Sequence, residues 1–243
     1  MKKQNGSPDQ FVPLTPRDLI GAAGEVGANL LARARKLHAA CNASGNWKLL
    51  LYGSPGTGKS SIVKMILPVL GSGFDVEKVN GRNVSTDVVR EWQRNACFRS
   101  LFGGWKIKHI EEVDLVPQVA QDLMLTFLDD LPDRNAVICT SNLSLETLTE
   151  RFQTRFELVR VNGSNDAELA EWLQQHWKIP QPISDFIALG AGGNVRRALL
   201  DATSFLTLGH FDERPKPPAV VKDPAATARA LKAWETMRGR GAA

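Results

Sequence analysis

Short apolar runs alternate with longer amphipathic stretches over the first two thirds of the chain. The runs are rich in Val, Ile and Leu and are bounded by glycine, proline or polar residues, which is typical of buried strands. Predicted strands cover residues 48–53, 74–80, 105–110, 135–141 and 156–161, and predicted helices between them cover 59–67, 85–102 and 116–131. We expect Pro68 to end the first of these helices and Ser85 or Thr86 to cap the second. This alternation predicts an α/β fold with a mostly parallel sheet that helices cover on both faces.

The pattern changes after Val161, where helical periodicity continues without any strand between the segments. Three helices are predicted, over residues 165–177, 183–190 and 194–209. A small all-helical unit therefore follows the α/β unit. From Phe211 on, four prolines predict a linker, within which residues 223–239 have the cap and periodicity of one helix. Its apolar face fits docking either on its own domain or on a partner.

Composition narrows the class of protein before any motif is considered. The chain has 243 residues, of which 43% are hydrophobic and 23% charged, and this excludes a disordered or fibrous protein. Three cysteines, Cys41, Cys97 and Cys139, are far apart and odd in number, so neither a disulfide framework nor a zinc site is predicted. No apolar stretch is long enough to be a leader or a membrane span. We therefore expect a soluble, cytoplasmic protein with no membrane partner.

The strongest motif follows the first predicted strand and opens the next helix. The segment from Gly53 to Ser60, GSPGTGKS, fits the phosphate-loop pattern GxxxxGK[ST] in full. Glycines let the backbone turn tightly, so that successive amides and the positive end of the helix face nucleotide phosphates. Lys59 supplies a cation for the outer phosphates, and the Ser60 hydroxyl is a ligand for Mg²⁺. The cofactors predicted from this motif are ATP and Mg²⁺.

Acidic residues follow the third predicted strand at its carboxyl end, where a parallel sheet presents its ligands. We expect Glu111 to hold the Mg²⁺ ion or one of its waters. We expect Glu112 to polarise the water that attacks the outer phosphate. The alternative is an ordinary solvated acidic loop.

The order of these motifs resembles that of AAA+ ATPases, and within them the clamp-loader small subunits. The resemblance runs from about Leu14 to Leu208. It implies a P-loop NTPase fold with a parallel five-stranded sheet in the order 5-1-4-3-2, followed by a small all-helical lid. The implied domains are a nucleotide-binding domain over 14–161 and a lid over 162–210. A flexible terminus (1–13) and a Pro-rich linker with a helix (211–243) flank them.

The resemblance also implies roles for single residues. Ile20 matches the position of the residue that contacts the adenine in the family. Asn142 matches the first sensor residue, which hydrogen-bonds the outer phosphate or the attacking water. Arg155, with Arg151 as the alternative, matches the arginine that reaches into a neighbouring subunit's ATP site. Arg196 matches the lid arginine of the second sensor. The nucleotide-binding segment is Gly53, Ser54, Pro55, Gly56, Thr57, Gly58, Lys59, Ser60 and Ser61.

Three features depart from the clamp-loader pattern. The first acid after the strand is Glu111, where the family has aspartate, so the geometry around Mg²⁺ and the rate of hydrolysis are expected to differ. Thr154 and Phe156 stand where the family's arginine motif has serine and cysteine. Only 33 residues follow His210, which is too few for the clamp-loader collar domain.

The function predicted from these features is that of an oligomeric ATPase, formed of identical or different subunits, that assembles or remodels a DNA-associated complex. A basic segment over residues 82–108 nets +4 and includes Trp92, so DNA or a DNA-bound protein is a candidate partner. One alternative is a protein-remodelling ATPase, although the loop over 80–86 lacks an aromatic residue for gripping a polypeptide. The other is an ATP-binding scaffold with little hydrolysis. The net charge of +4 is otherwise concentrated in the tail from Phe211, which nets +3.

Overall fold

A computed structural model describes residues 7–40, 45–100, 103–142 and 145–209, together with Ala228 and Lys232. Apart from these last two residues, the helix predicted over 223–239 lies outside the described residues, as do the basic tail and Cys41. The described chain divides into two compact units. The α/β unit comprises 25–54 and 58–161, and the helical unit comprises the described residues up to Gly24, the segment 55–57 and the residues from Asn162 on.

Five parallel strands form the sheet of the α/β unit. They are β1 (Trp47–Tyr52), β2 (Val76–Asn80), β3 (Lys106–Glu111), β4 (Asn135–Ser141) and β5 (Glu157–Arg160), in the order β2-β3-β4-β1-β5. This confirms the predicted sheet and its strand order. The central strands β1 and β4 pair over their whole length, with Leu50 opposite Cys139, and both are almost wholly buried. Strands buried on both faces account for the continuous apolar runs in the sequence.

Helices of the α/β unit cover the sheet. They are α1 (Ala22–Ala39, whose first three residues belong to the other unit), α2 (Lys59–Leu70), α3 (Thr86–Ala96), α4 (Gln118–Asp129) and α5 (Glu150–Gln153). On one face, Leu50, Ile110 and Val137 of the sheet pack with Trp92 and Phe152 of the helices. Every one of these side chains is buried, which places one hydrophobic core of the unit on this face.

Two predicted helix ends differ from the observed ones. Pro68 does not stop α2, which continues to Leu70 and ends where the Gly71 amide bonds the Leu67 carbonyl (3.1 Å). A proline in the last turn removes one backbone bond without breaking the turns before it, so the helix tolerates it there. Helix α3 ends at Ala96, six residues before the predicted end, while the predicted cap is confirmed because Ser85 accepts from the Val88 amide.

The helical unit holds α6 (Asp166–Trp177), α7 (Gln181–Ala191) and α8 (Val195–Leu208), which correspond to the three predicted helices. Their apolar faces meet in a separate core that includes Leu169, Leu173, Ile187 and Ala202. Asn165 begins α6 with a reciprocal capping box, and a left-handed Lys178 ends it. Among the described residues, no helix is both long and apolar enough to cross a bilayer.

Candidate functional site

The phosphate loop joins β1 to α2 at the carboxyl edge of the sheet. Gly53 has a φ of +145°, and a Cβ at this position would overlap the Val161 carbonyl, so only glycine fits beside β5. Gly58 precedes α2 in the left-handed conformation, with φ of 99°. The chain thereby turns directly into the helix, and the amides of its first turn are directed toward the loop. This arrangement can bind phosphate groups through backbone N–H donors and the positive end of α2.

Lys59 lies over the loop and not in solvent. Its ammonium donates to the carbonyls of Gly53 (2.9 Å) and Ser54 (2.7 Å), and only 4% of the residue is exposed. The first residue of α2 thus holds a buried positive charge against the phosphate loop. Ser60 and Ser61 follow it in the first turn of α2, and both residues are half-buried.

An acidic corner lies where β3 ends, next to the ends of β2 and β4. Glu112 follows the strand in a left-handed conformation, with φ of 54°. Its carboxylate accepts from the Asn80 side-chain amide (2.9 Å) and more weakly from that of Asn142 (3.4 Å). The backbone amide of Asn142 in turn donates to Asp114 (3.3 Å). The structure therefore brings the predicted water-activating residue and the predicted first sensor together.

Asn80 was not among the residues predicted from the sequence. It is the last residue of β2, at the same edge of the sheet as Glu111, and it also bonds the Arg82 amide (3.1 Å). The rule that marked Glu111, a polar side chain at the carboxyl end of a parallel strand, applies equally to Asn80. Its amide fixes one oxygen of Glu112, so it orients that carboxylate.

The Glu111 carboxylate forms an ion pair and is only partly exposed to solvent. Its carboxylate bonds the Lys78 ammonium of the neighbouring strand (2.9 Å), with 29% of the Glu111 side chain exposed. In the described part of the chain, no three acidic, histidine or cysteine side chains are grouped to hold a metal ion. One carboxylate and one serine hydroxyl suit Mg²⁺, which keeps several waters and takes further ligands from phosphates. The donor set fits such an ion, and the assignment of Glu111 and Ser60 stays a prediction.

His109 is buried in β3, two residues before Glu111. Among the described residues, neither ring nitrogen has a hydrogen-bond partner. Burial lowers the pKa of His109 to about 4; Glu111 acts against this shift, while Lys78 and Lys64 add to it. The imidazole is therefore neutral at physiological pH, and it belongs to the interior of the sheet.

Arg151 lies within α5, and Arg155 lies two residues after the end of α5, before β5 begins. Arg151 is exposed, whereas Arg155 is held by Asp129 at the end of α4. Its Nε donates to one carboxylate oxygen (3.2 Å) and its Nη2 to the other (3.0 Å). The hydrogen bonds from Arg155 lower the pKa of Asp129, and Asp129 raises that of Arg155. Action of Arg155 on a neighbouring subunit's ATP site stays a prediction.

The helical unit contains the remaining predicted residues. Ile20 is 7% exposed and packs in the core of that unit, with Leu169 and Ala191 among its companions. Also within that unit, the amide of Val195 donates to the Gly56 carbonyl (3.2 Å) at the start of α8. Arg196 follows Val195 and is exposed. The contact fixes the beginning of α8 against the phosphate-loop segment 55–57.

Residues 82–108, the basic segment, do not form the surface that the sequence predicted for contact with DNA. Trp92 is 1% exposed and donates to Glu77 (2.5 Å), so it belongs to the core and is not available for stacking on a base. Lys106 bonds the Asn95 carbonyl (2.7 Å), and Lys108 forms an ion pair with Glu77. Burial raises the pKa of Glu77, but hydrogen bonds from Lys108 and Trp92 outweigh it and leave that pKa below its usual value. The exposed basic residues of the segment are Arg82, Arg90, Arg94 and Arg99.

Comparison with known proteins agrees with this architecture. Residues 49–163 match the family described as ATPase family associated with various cellular activities (AAA). No curated protein matches the chain. Solved variants of RuvB from Thermotoga maritima share the fold. One has a TM-score of 0.64 at 16% identity and covers 92% of this chain and 72% of its own. Another has a TM-score of 0.65 at 15% identity and covers 93% and 73%.

The AAA match spans the phosphate loop, the acidic corner and strands β2 to β5. Residues 49–163 therefore resemble the AAA ATPase domain, and the described chain has the fold of AAA+ P-loop proteins. The chain is an ATPase, and the assignment of its phosphate loop as the nucleotide-binding element stays a prediction.

Proposed function

We propose that this ATPase works as an oligomer that binds ATP with Mg²⁺ and uses the nucleotide cycle to assemble or remodel a DNA-associated complex. The observation that carries the proposal is the acidic corner, where Asn80 and Asn142 hold Glu112 at the same sheet edge as the phosphate loop. A carboxylate oriented by two amides, next to a loop of phosphate-binding N–H groups, is suited to orient a water for attack on an outer phosphate.

The nucleotide chemistry divides among residues of the chain. Loop amides and Lys59 neutralise the phosphates, and Ile20 contacts the adenine, as the resemblance to AAA+ proteins implies. Mg²⁺, when bound through Ser60 and Glu111, supplies charge for the outer phosphates. Arg196 of the lid adds a second positive group there. The proposed lid covers 162–210 and the proposed nucleotide-binding domain covers 14–161, as the resemblance implies, whereas in the structure the described residues up to Gly24 and the segment 55–57 cluster with the helical unit.

Turnover of two variants tests this division. We expect Lys59→Ala to abolish ATP binding, because the loop loses its only buried cation toward the phosphates. We expect Glu112→Gln to keep ATP binding and to lower turnover by at least roughly a hundredfold, since an amide cannot accept the proton of the water. Glu91→Gln, an exposed glutamate on α3, is the control for loss of one negative charge. Full turnover of Glu112→Gln would remove this residue from the mechanism.

Action of Arg155 across a subunit interface needs a mixing experiment. An Arg155→Ala chain has an intact phosphate loop, and a Lys59→Ala chain has an intact Arg155. Each is expected to turn over little ATP alone. Mixed oligomers should regain turnover, because the second chain supplies the missing guanidinium to the site of the first. Mixtures as inactive as the separate variants would argue against oligomeric sites completed in trans.

Contact with DNA is supported by the exposed arginines on and beside α3. Among these arginines, Arg90 pairs with the exposed Asp87 (3.0 Å). Binding of single- and double-stranded DNA, measured by fluorescence anisotropy over a salt series, should weaken steeply with salt if phosphates are contacted. Arg94→Gln should weaken it further, and Arg35→Gln on the exposed side of α1 is the matched control. No binding of either DNA, and no effect of DNA on ATP turnover, would favour a protein target.

A second candidate is an ATP-binding scaffold that hydrolyses slowly. The ion pair of Glu111 with Lys78 favours it, because the carboxylate must share its charge with an ammonium before it can serve a metal ion. Under this alternative, both Glu111→Asp and Lys78→Met raise ATP turnover. Glu111→Asp gives the shorter carboxylate side chain of the family pattern, and Lys78→Met removes the ammonium that pairs with Glu111. Unchanged or lower turnover in both variants would favour the first candidate. The protein-remodelling alternative gains no support, since Gly81 at the start of the loop after β2 is buried against the Glu112 carbonyl.

A further inference from the structure

Asp129 is the last residue of α4 and Arg155 follows α5, so the contact between them joins the ends of two helices. The carboxylate accepts side-on from the Nε and Nη2 groups, one oxygen to each nitrogen. This fork-to-fork arrangement fixes the plane of a guanidinium as well as its position. A single-point contact, such as that of a lysine, would fix the position alone.

The rest of the guanidinium is also engaged. Its Nη1 donates to the Arg151 carbonyl (2.9 Å) and to the Thr154 hydroxyl (3.4 Å). Both acceptors belong to the same turn as Arg155, so local backbone and Asp129 hold the group from two sides. The Arg155 side chain is 28% exposed, and the group therefore faces solvent in a defined orientation.

The placement of Asp129 is unfavourable for a carboxylate by itself. A helix carries partial negative charge at its C-terminus, and an acidic side chain there is repelled by it. Arg155 offsets this repulsion. The adjacent Asp130 lies at the same helix end and is exposed, but it forms no ion pair in the described part of the chain. The two neighbouring acids thus share the helix end and differ in their contact with Arg155.

We propose that Asp129 is a positioning residue that orients Arg155 for its contact with the ATP site of a neighbouring subunit. The proposal rests on the proposed function, in which Arg155 acts in trans. An unrestrained arginine must lose the freedom of its long side chain when it meets the phosphate. Asp129 fixes the guanidinium before the subunits meet, so this loss does not reduce stabilisation of the transition state.

The experiment compares steady-state ATP turnover of the full chain and five variants, the fifth being Asp129→Glu, at concentrations where the oligomer is saturated. Asp129→Asn removes the charge and one acceptor, and Asp130→Asn is the matched control. Arg155→Ala removes the oriented group, and the fourth variant combines Asp129→Asn with Arg155→Ala. Thermal unfolding and the KM for ATP are measured alongside for each.

The positioning role predicts a specific pattern. Asp129→Asn should lower kcat by about tenfold to a hundredfold, the scale of a small misplacement of a catalytic group, with KM for ATP nearly unchanged. Asp130→Asn should match the unmodified chain. The combined variant should be no slower than Arg155→Ala alone, because Asp129 acts only through Arg155. Asp129→Glu, which keeps a forked carboxylate, should recover part of the lost turnover.

Other results overturn the proposal. Turnover of Asp129→Asn equal to or above that of the unmodified chain would mean that the ion pair does not position Arg155 for catalysis. Equal losses in Asp129→Asn and Asp130→Asn would assign the effect to surface charge. If Arg155→Ala itself retains full turnover, the trans role in the proposed function fails, and the positioning role fails with it. Loss in Arg155→Ala without loss in Asp129→Asn refutes the positioning role alone.

Discussion

Acid should destabilise the α/β unit in a pH range set by one buried histidine. Folding moves the pKa of His109 from 6.5 down to about 4. Between pH 6.5 and about pH 4 the unfolded chain therefore binds a proton at this residue while the folded chain does not. The contribution of neutral His109 to the free energy of unfolding is fully present at a pH above 6.5, the pKa in the unfolded chain. It is lost as the pH falls toward about 4, the pKa in the folded chain. The whole change corresponds to about 3 kcal/mol, and about 2 kcal/mol of it falls between roughly pH 7.5 and pH 5.

The His109→Leu variant isolates this contribution. Leucine has a similar volume and no nitrogen atoms, so it removes the two buried groups that lack partners. At about pH 7.5 the variant should be more stable than the unmodified chain by about 1 to 2 kcal/mol, since an unsatisfied buried polar group has a cost of this order. Its stability should also lose the pH dependence described above. Urea unfolding followed by circular dichroism at several pH values measures both effects.

Two carboxylates of the α/β unit, Asp75 and Glu77, change protonation mainly below this pH range. Hydrogen bonds to the folded carboxylates of Asp75 and Glu77 outweigh burial and lower their pKa values, so their contributions are lost only below the ordinary values of 3.8 and 4.5. The comparison with His109→Leu cancels the groups common to both chains. His38→Gln, at an exposed histidine near the end of α1, is the control and should not alter the pH dependence. Equal pH dependence of the unmodified chain and His109→Leu would refute the reasoning.

Two further predictions concern packing. Gly81→Ala would place a Cβ against the Glu112 carbonyl, so we expect ATP turnover to fall with ATP binding retained; Gly73→Ala, where a Cβ meets open space, should leave turnover unchanged. Equal turnover in both variants would contradict the close packing at the acidic corner. Phe152→Ala should lower the free energy of unfolding by about 3 to 5 kcal/mol, because Phe152 is fully buried. Phe98→Ala, at a largely exposed ring, should change it by less than about 0.5 kcal/mol in urea unfolding, and similar losses would refute the assigned core.

The parallel sheet was predictable because its strands are buried on both faces. A run such as Leu49–Leu51 has no polar alternation, and the glycines after it fix where β1 must end. The strand bounds then differ from the predicted ones by no more than two residues. Helix α1 was not predicted, since its sequence has glycines at 24 and 27 and only a weak apolar stripe. Packing on the rest of the unit, and not local propensity, stabilises such a helix.

Pairwise contacts between distant residues account for most of what the sequence did not predict. Asn80 and Glu112 are 32 residues apart, and Asp129 and Arg155 are 26 apart, so neither spacing carries a periodic signal.

The orientation of Trp92 also could not be predicted from the composition of its segment. Its neighbours Arg90 and Arg94 are exposed, but a helix turns the residue between them toward the core, where its indole bonds Glu77. Composition of a segment therefore does not identify which of its side chains reach a ligand.

The position of β1 in the sheet has a consequence for synthesis of the chain. The strand that leads into the phosphate loop pairs with β4 and β5, whose residues are made more than 80 positions later. Gly53 also rests against the backbone of Val161. Contacts so distant in sequence form late in folding. A ribosome-bound chain that ends before β5 should therefore not bind nucleotide. The first binding of ATP during translation would then indicate that all five strands of the sheet have paired.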